Sequence, residues 1–197
     1  MLNQIYETCE FIKEKTNFIP EYGVILGSGL GDFAEDIKIE FTIPYEEIPN
    51  FPVSTVSGHK GALLFGTVGT KKVIAMQGRF HYYEGYDMKQ VTFPVRVMKH
   101  LGITKLIVSN ASGGVNSNYK VGSIVIINNH INMMPEHPLR GANDERMGPR
   151  FVNMSEPYSH HMIAKANEIA KANNIEVEEG VYVALQGPIY ETLSEYK

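Results

Sequence analysis

Short apolar runs alternate along this chain with stretches of helical period, and few folds accommodate that alternation. Val24-Ile25-Leu26 is a buried-strand run that opens into Gly27-Ser28-Gly29-Leu30-Gly31. Ile37, Ile39, Phe41 and Ile43 alternate with polar residues, which is the period of a strand. Residues 62–68 and 72–77 flank Gly69-Thr70 and predict a β-hairpin. Further strands are expected at 105–109, 123–128 and 180–185.

Helical faces lie between them. Leu2, Ile5, Tyr6, Cys9 and Ile12 mark a first helix that stops near Thr16–Asn17. Met88, Val91, Val95 and Met98 mark a second, with Gln90 in capping-box position and Pro94 expected to kink the helix or delay its start. Met162, Ile163, Ala166, Ile169 and Ala170 mark a third, ended by Asn173-Asn174. Because the hairpin adds an antiparallel pair to strands that alternate with helices, the expected fold is α/β, a mixed β-sheet flanked by helices.

The 197 residues suit one domain, 1–197, with enough core to need neither disulfide nor metal. The single Cys9 excludes a disulfide framework and a multi-cysteine zinc site. No apolar run approaches the roughly 18 residues of a membrane span, and the N-terminus has no signal pattern, so a cytoplasmic protein without a membrane partner is expected. A net charge of −4 without a Lys/Arg run argues against nucleic acid. Thr192-Leu193-Ser194-Glu195 reads as a helix-starting capping box, yet only Tyr196 and Lys197 follow, so the chain is expected to stop inside an element that the fold continues.

Several segments could carry chemistry. Gly27–Gly31 after a strand is a candidate phosphate loop, with Ser28 adding a hydroxyl; it fits a tight strand-to-helix turn as well, and its G-x-G-x-G spacing is not that of a dinucleotide fold. Arg79 and His81, if extended, point to one side and pair guanidinium with imidazole, a cradle for an anion. The alternative is a surface Arg79 paired with Glu84 and the neighbouring aromatics in the core. His59 stands between glycines in a loop, where a lone histidine is more often a bystander than a site residue. Ser109-Asn110-Ala111-Ser112-Gly113-Gly114 is a strand end running into a small-residue turn that a flat ligand could lie against, or that close packing could require. Glu191 follows Tyr190 at the expected helix start, where a carboxylate is stabilised, or simply caps.

The order of these segments is more specific than any one of them. GSGLG, SGHKG, QGRFHYYEGY, SNASGG, HPLRGANDERMGPRF and GPIYET, in that sequence, resemble the trimeric purine nucleoside phosphorylases of the nucleoside phosphorylase superfamily, over essentially the whole chain. The resemblance implies that Ser28, Arg79 and His81 hold phosphate, that the Ala111 N–H completes the cradle, and that His59 lies beside it. It implies a nucleoside bound by Tyr83, Ala111, Ser112, Gly113, Phe151, Tyr190 and Glu191, with Tyr190 against the purine, Glu191 on the base edge and Phe151 reaching a neighbouring subunit's ribose pocket in a homotrimer. His81, Glu191 and His59 are the implied catalytic residues, for phosphorolysis of inosine and guanosine to free base and ribose 1-phosphate.

Phosphate as nucleophile and hydrogen bonds to the departing base suffice for that reaction, so no metal or organic cofactor is expected. The family's sequence continues beyond GPIYET. That continuation supplies an asparagine at purine N7, a methionine on the ribose, a further phosphate serine and a late histidine near the 5′-hydroxyl, none of which can be placed in this sequence. Methylthioadenosine phosphorolysis and a non-catalytic nucleoside- or phosphate-binding fragment are the alternatives; Glu191 disfavours the first.

Overall fold

The computed structural model describes residues 1–27, 29–53 and 61–197. Their contacts divide into two compact units, Met1–Ser112 and Gly113–Lys197.

The first unit opens with helix α1, Leu2–Thr16, closed by Asn17 in the left-handed conformation. Leu2, Ile5, Thr8, Cys9, Ile12 and Thr16 are its buried residues. Tyr6, expected on that face, is instead exposed and meets His100 edge-on at 5.5 Å. The position is taken by Thr8, whose hydroxyl is satisfied by the carbonyls of Gln4 and Pro49 and is therefore tolerated in the core. Cys9 donates to the Val97 carbonyl at 3.7 Å, and burial pushes its thiol up to about 11.

A five-stranded sheet carries the unit in the order β2-β3-β4-β1-β5, with β1 at Tyr22–Ile25, β2 at Lys38–Pro44, β3 at Ala62–Val68, β4 at Lys71–Gln77 and β5 at Lys105–Val108. β1 runs parallel to β4 and β5, whereas β2–β3 and β3–β4 are antiparallel. The sheet is mixed, as the hairpin required. β3 and β4 bury both faces, so Ala62, Leu64, Val73 and Ala75 join Val24, Leu26, Ala34 and Ile37 in one cluster. On β2 the alternation fails: Ile43 is buried, but Ile39 and Phe41 stay exposed, beside a register shift between them. An edge strand with such an irregularity turns residues off the pleat's regular face.

Helix α2, Met88–Leu101, begins where Asp87 and Gln90 cap each other reciprocally, and it runs through Pro94. Pro94 therefore does not delay the start. The buried residues are Phe93, Pro94, Val97, Met98 and Leu101, a face rotated from the expected one, since the proline ring is itself packed inward.

The second unit is built on β6, Ile124–Asn132, paired in parallel with β7, Val177–Ala184. Helix α3, His160–Ala172, is capped by the Ser159 side chain and packs beside β6. The capping-box pair at the end is half made: the Thr192 N–H donates to the Glu195 carboxylate at 2.6 Å, but Leu193–Tyr196 form a turn. Glu191 thus precedes a turn and not a helix. Among the described residues no helix is long and apolar enough to cross a membrane.

Candidate functional site

The carboxyl ends of β4, β1 and β5 lie side by side, and loops leave the sheet there, which is where α/β sheets place their ligands. The chain after β4 turns at Gly78, whose φ of +89° suits glycine, and then presents Arg79. Phe80 is buried, so Arg79 and His81 on either side of it fall on one face, as strand period predicts. The Arg79 Nε donates to His81 Nε2 at 3.1 Å and its Nη1 donates to the Ser109 carbonyl at 2.9 Å. One guanidinium therefore ties the loop after β4 to the end of β5, across β1.

β1 and β5 are themselves pinned. The Gly27 N–H donates to Ser109 Oγ at 3.1 Å, and that hydroxyl donates to the Ile25 carbonyl at 3.2 Å. A Cβ on Gly27 would stand 2.5 Å from the Ser109 oxygen and 2.7 Å from the Asn110 Cα, so only glycine fits. Gly29 follows with φ +82°, and the Leu30 N–H closes the turn on the Gly27 carbonyl at 3.2 Å. The turn leads into 3-10 helix, Gly31–Asp36. Ser28 and His59 lie outside the described residues.

The sequence offers Glu84 a partner only in the alternative reading, as the mate of a surface Arg79. Tyr82–Glu84 form a 3-10 turn that folds the carboxylate back onto His81. Its Oε1 lies 2.7 Å from His81 Nδ1 and also accepts the His81 backbone N–H at 2.9 Å. With its side chain only 4% exposed, the Glu84 carboxyl is buried against the imidazole. The x-x spacing of a capping box between His81 and Glu84 was the available signal. Tyr83 stacks on the His81 ring at 4.9 Å and is otherwise exposed. Ala111 and Ser112 follow β5 in the same unit; the Ala111 carbonyl accepts from the Asn110 side chain at 3.1 Å. The arrangement offers a fixed guanidinium, an imidazole braced by a carboxylate, and strand-end backbone: a receptor for an oxyanion.

In the second unit, Gly113 begins the chain after the β5 turn, and Phe151, Tyr190 and Glu191 lie on loops. Phe151 is 90% and Tyr190 91% exposed. Tyr196 donates to Glu191 Oε2 at 3.4 Å. The segment before Phe151 is organised: Arg146 makes a two-pronged pair with Asp144, at 2.8 and 2.6 Å, which holds that carboxyl below its usual range. Arg150 Nη1 donates to the carbonyls of Leu139 and Gly141 at 3.2 and 2.7 Å. A cavity of about 640 Å³ in this unit is lined by Asn128, His160, Asn167 and Glu179 among others and holds none of the expected residues. The Glu179 carboxylate there is already bonded by the amides of Asn128 and Asn167. Among the described residues no three His, Cys, Asp or Glu side chains gather as a metal would need.

Residues 21–197 match the family described as the phosphorylase superfamily. Purine nucleoside phosphorylase 1 of Geobacillus stearothermophilus is 52% identical over 98% of this chain, which spans 70% of that relative. Isoform 2 of purine nucleoside phosphorylase from Schistosoma mansoni, solved with cytosine and ribose 1-phosphate, superposes with a TM-score of 0.93 at 42% identity, over 98% of this chain and 70% of that one. The Schistosoma mansoni enzyme solved with adenosine gives a TM-score of 0.93 at 44% identity, over 98% and 70%.

Proposed function

The chain belongs to the phosphorylase superfamily, and from that premise we propose that it is a purine nucleoside phosphorylase, a pentosyltransferase that splits purine nucleosides with inorganic phosphate. The observation that carries the reading is the Arg79–His81–Glu84 group at the carboxyl ends of the parallel strands. The one family match runs across both units, which supports treating 1–197 as one phosphorylase domain.

In this reading Arg79 and His81 hold phosphate, with Ser28, His59 and the Ala111 N–H around it. A phosphate oxygen forms a bond to C1′ as the C1′–N9 bond breaks, and the bonding pair leaves with the purine. The sugar passes through an oxocarbenium-like state, and phosphate charge held against it lowers the barrier. Phosphate is itself the nucleophile, so the reaction as proposed asks for positioning and electrostatics and for no cofactor. Ribose 1-phosphate in a related enzyme supports the product assigned here.

Tyr83, Ser112, Gly113, Phe151, Tyr190 and Glu191 are assigned to the nucleoside. A carboxylate only accepts hydrogen bonds, so Glu191 suits the N1–H of hypoxanthine and the N1–H and amine of guanine. Adenosine occupies the Schistosoma mansoni enzyme, so the preference proposed for 6-oxopurines lies in turnover, where charge builds on the departing base. Phe151 is assigned to a neighbour's ribose site in a homotrimer. A cytoplasmic location completes the proposal, supported by the buried, unpaired thiol of Cys9.

Arg79→Ala is the direct test. Loss of a charge-assisted pair should weaken phosphate binding by roughly 2–3 kcal/mol, measured by calorimetric titration. Hypoxanthine release from inosine, strictly dependent on phosphate, is the matching turnover assay. An Arg79→Ala protein that binds phosphate like its parent would remove the cradle from the reading.

A further inference from the structure

Gly78, at the bend from which Arg79 departs, and Gly61, before β3, both meet one buried side chain. Tyr45 sits in the 3-10 turn Tyr45–Glu47 after β2 and is 3% exposed. Its hydroxyl donates to the Gly78 carbonyl at 2.7 Å, at the bend from which Arg79 departs. Its backbone N–H donates to the Gly61 carbonyl at 3.0 Å. Its ring also lies against Gly61, where an added Cβ would stand 2.3 Å from Cδ2. Gly61 directly follows His59-Lys60 in the chain. Phe80, the residue between Arg79 and His81, packs on the same ring at 5.1 Å, and Phe51 packs on it at 5.6 Å.

We propose that Tyr45 is a positioning residue for the anion site, holding the exit of β4 through its hydroxyl and the entry to β3 through its backbone and ring. Gly78 has a positive φ and no side chain, so its peptide would pivot freely were its carbonyl not held. A small pivot there swings Arg79, whose bonds to His81 Nε2 and to the Ser109 carbonyl both depend on the direction in which it leaves the strand. Burial pushes the Tyr45 phenol far above its ordinary range, so the hydroxyl remains a donor at any working pH.

The inference rests on the phosphate reading of Arg79 and His81, and the experiment separates the two. Tyr45→Phe keeps the ring and deletes the hydroxyl. Titrated with inorganic phosphate, it should bind about tenfold more weakly than the parent, the scale of one lost buried hydrogen bond, while inosine affinity stays within about twofold. Thr8→Val deletes a comparably buried hydroxyl bonded to Pro49, away from the site. It should lower the melting temperature similarly and leave phosphate affinity alone. Parent-like phosphate binding by Tyr45→Phe would overturn the proposal, and so would equal weakening in Thr8→Val. A parent chain that binds no phosphate would overturn the site reading itself, and this inference with it. Should Tyr45→Phe not fold, Gly61→Ala, which displaces the ring from the other side, is to show the same phosphate-selective loss.

Discussion

Both nitrogens of His81 are engaged: Nδ1 with Glu84 at 2.7 Å and Nε2 with the Arg79 Nε–H at 3.1 Å. A carboxylate cannot donate, so the ring proton sits on Nδ1 and Nε2 is an acceptor. Glu84 therefore sets which way the imidazole faces, and Glu84→Gln, which puts an amide in place of the acceptor at Nδ1, should weaken phosphate binding about tenfold in a calorimetric titration. Parent-like phosphate binding by that variant would show that the carboxylate does not orient His81 for the anion. The shared face of Arg79 and His81 was legible because one residue separates them and that residue is a phenylalanine. The partner of His81 was signalled only by the capping-box spacing to Glu84, because a 3-10 turn has no hydrophobic signature of its own. Tyr45 was invisible for a different reason: its partners are backbone atoms of glycines, which are remote in sequence.

At the scale of elements, strands and helices announced themselves through period, and the exceptions have local causes. Pro94 is carried inside α2 because its ring is buried, and β2 loses its alternation at an edge. The loop before Phe151 shows a further effect. Arg150 bonds two carbonyls of residues 139 and 141, so the segment closes on itself and delivers Phe151 outward with its ring almost wholly exposed. A rigid stalk ending in an exposed phenyl is a device for a partner surface. The trimer proposed here puts that ring in a neighbour's site. Analytical sedimentation at micromolar concentration should give the trimer mass, and Phe151→Ser should raise the KM for nucleoside without changing that for phosphate. A monomer at that concentration, or equal effects on both substrates, would contradict the assignment.

Over the whole molecule, sequence order and spatial order part company. One family match spans both compact units, and the fold class was legible from the alternation of elements, but the strand order was not, since nothing in β1 itself names its neighbours. Tyr22 pairs with Val73 on one side and with Lys105 on the other, so the earliest strand of the chain is seated between two later ones. The hairpin pairs β3 with its sequence neighbour β4, whereas β1 pairs with β4 and β5 across long stretches of chain. Such long-range pairings are entropically late in folding. The Arg79 bond to the Ser109 carbonyl spans this seam of long-range pairings. A strand inserted late behaves as a keystone, and a ligand gripping the seam locks it from outside. Phosphate should therefore slow unfolding in denaturant and leave the refolding rate nearly unchanged, as expected for contacts absent from the transition state. Refolding accelerated as much as unfolding is slowed would instead mean that the arch is already closed at the barrier.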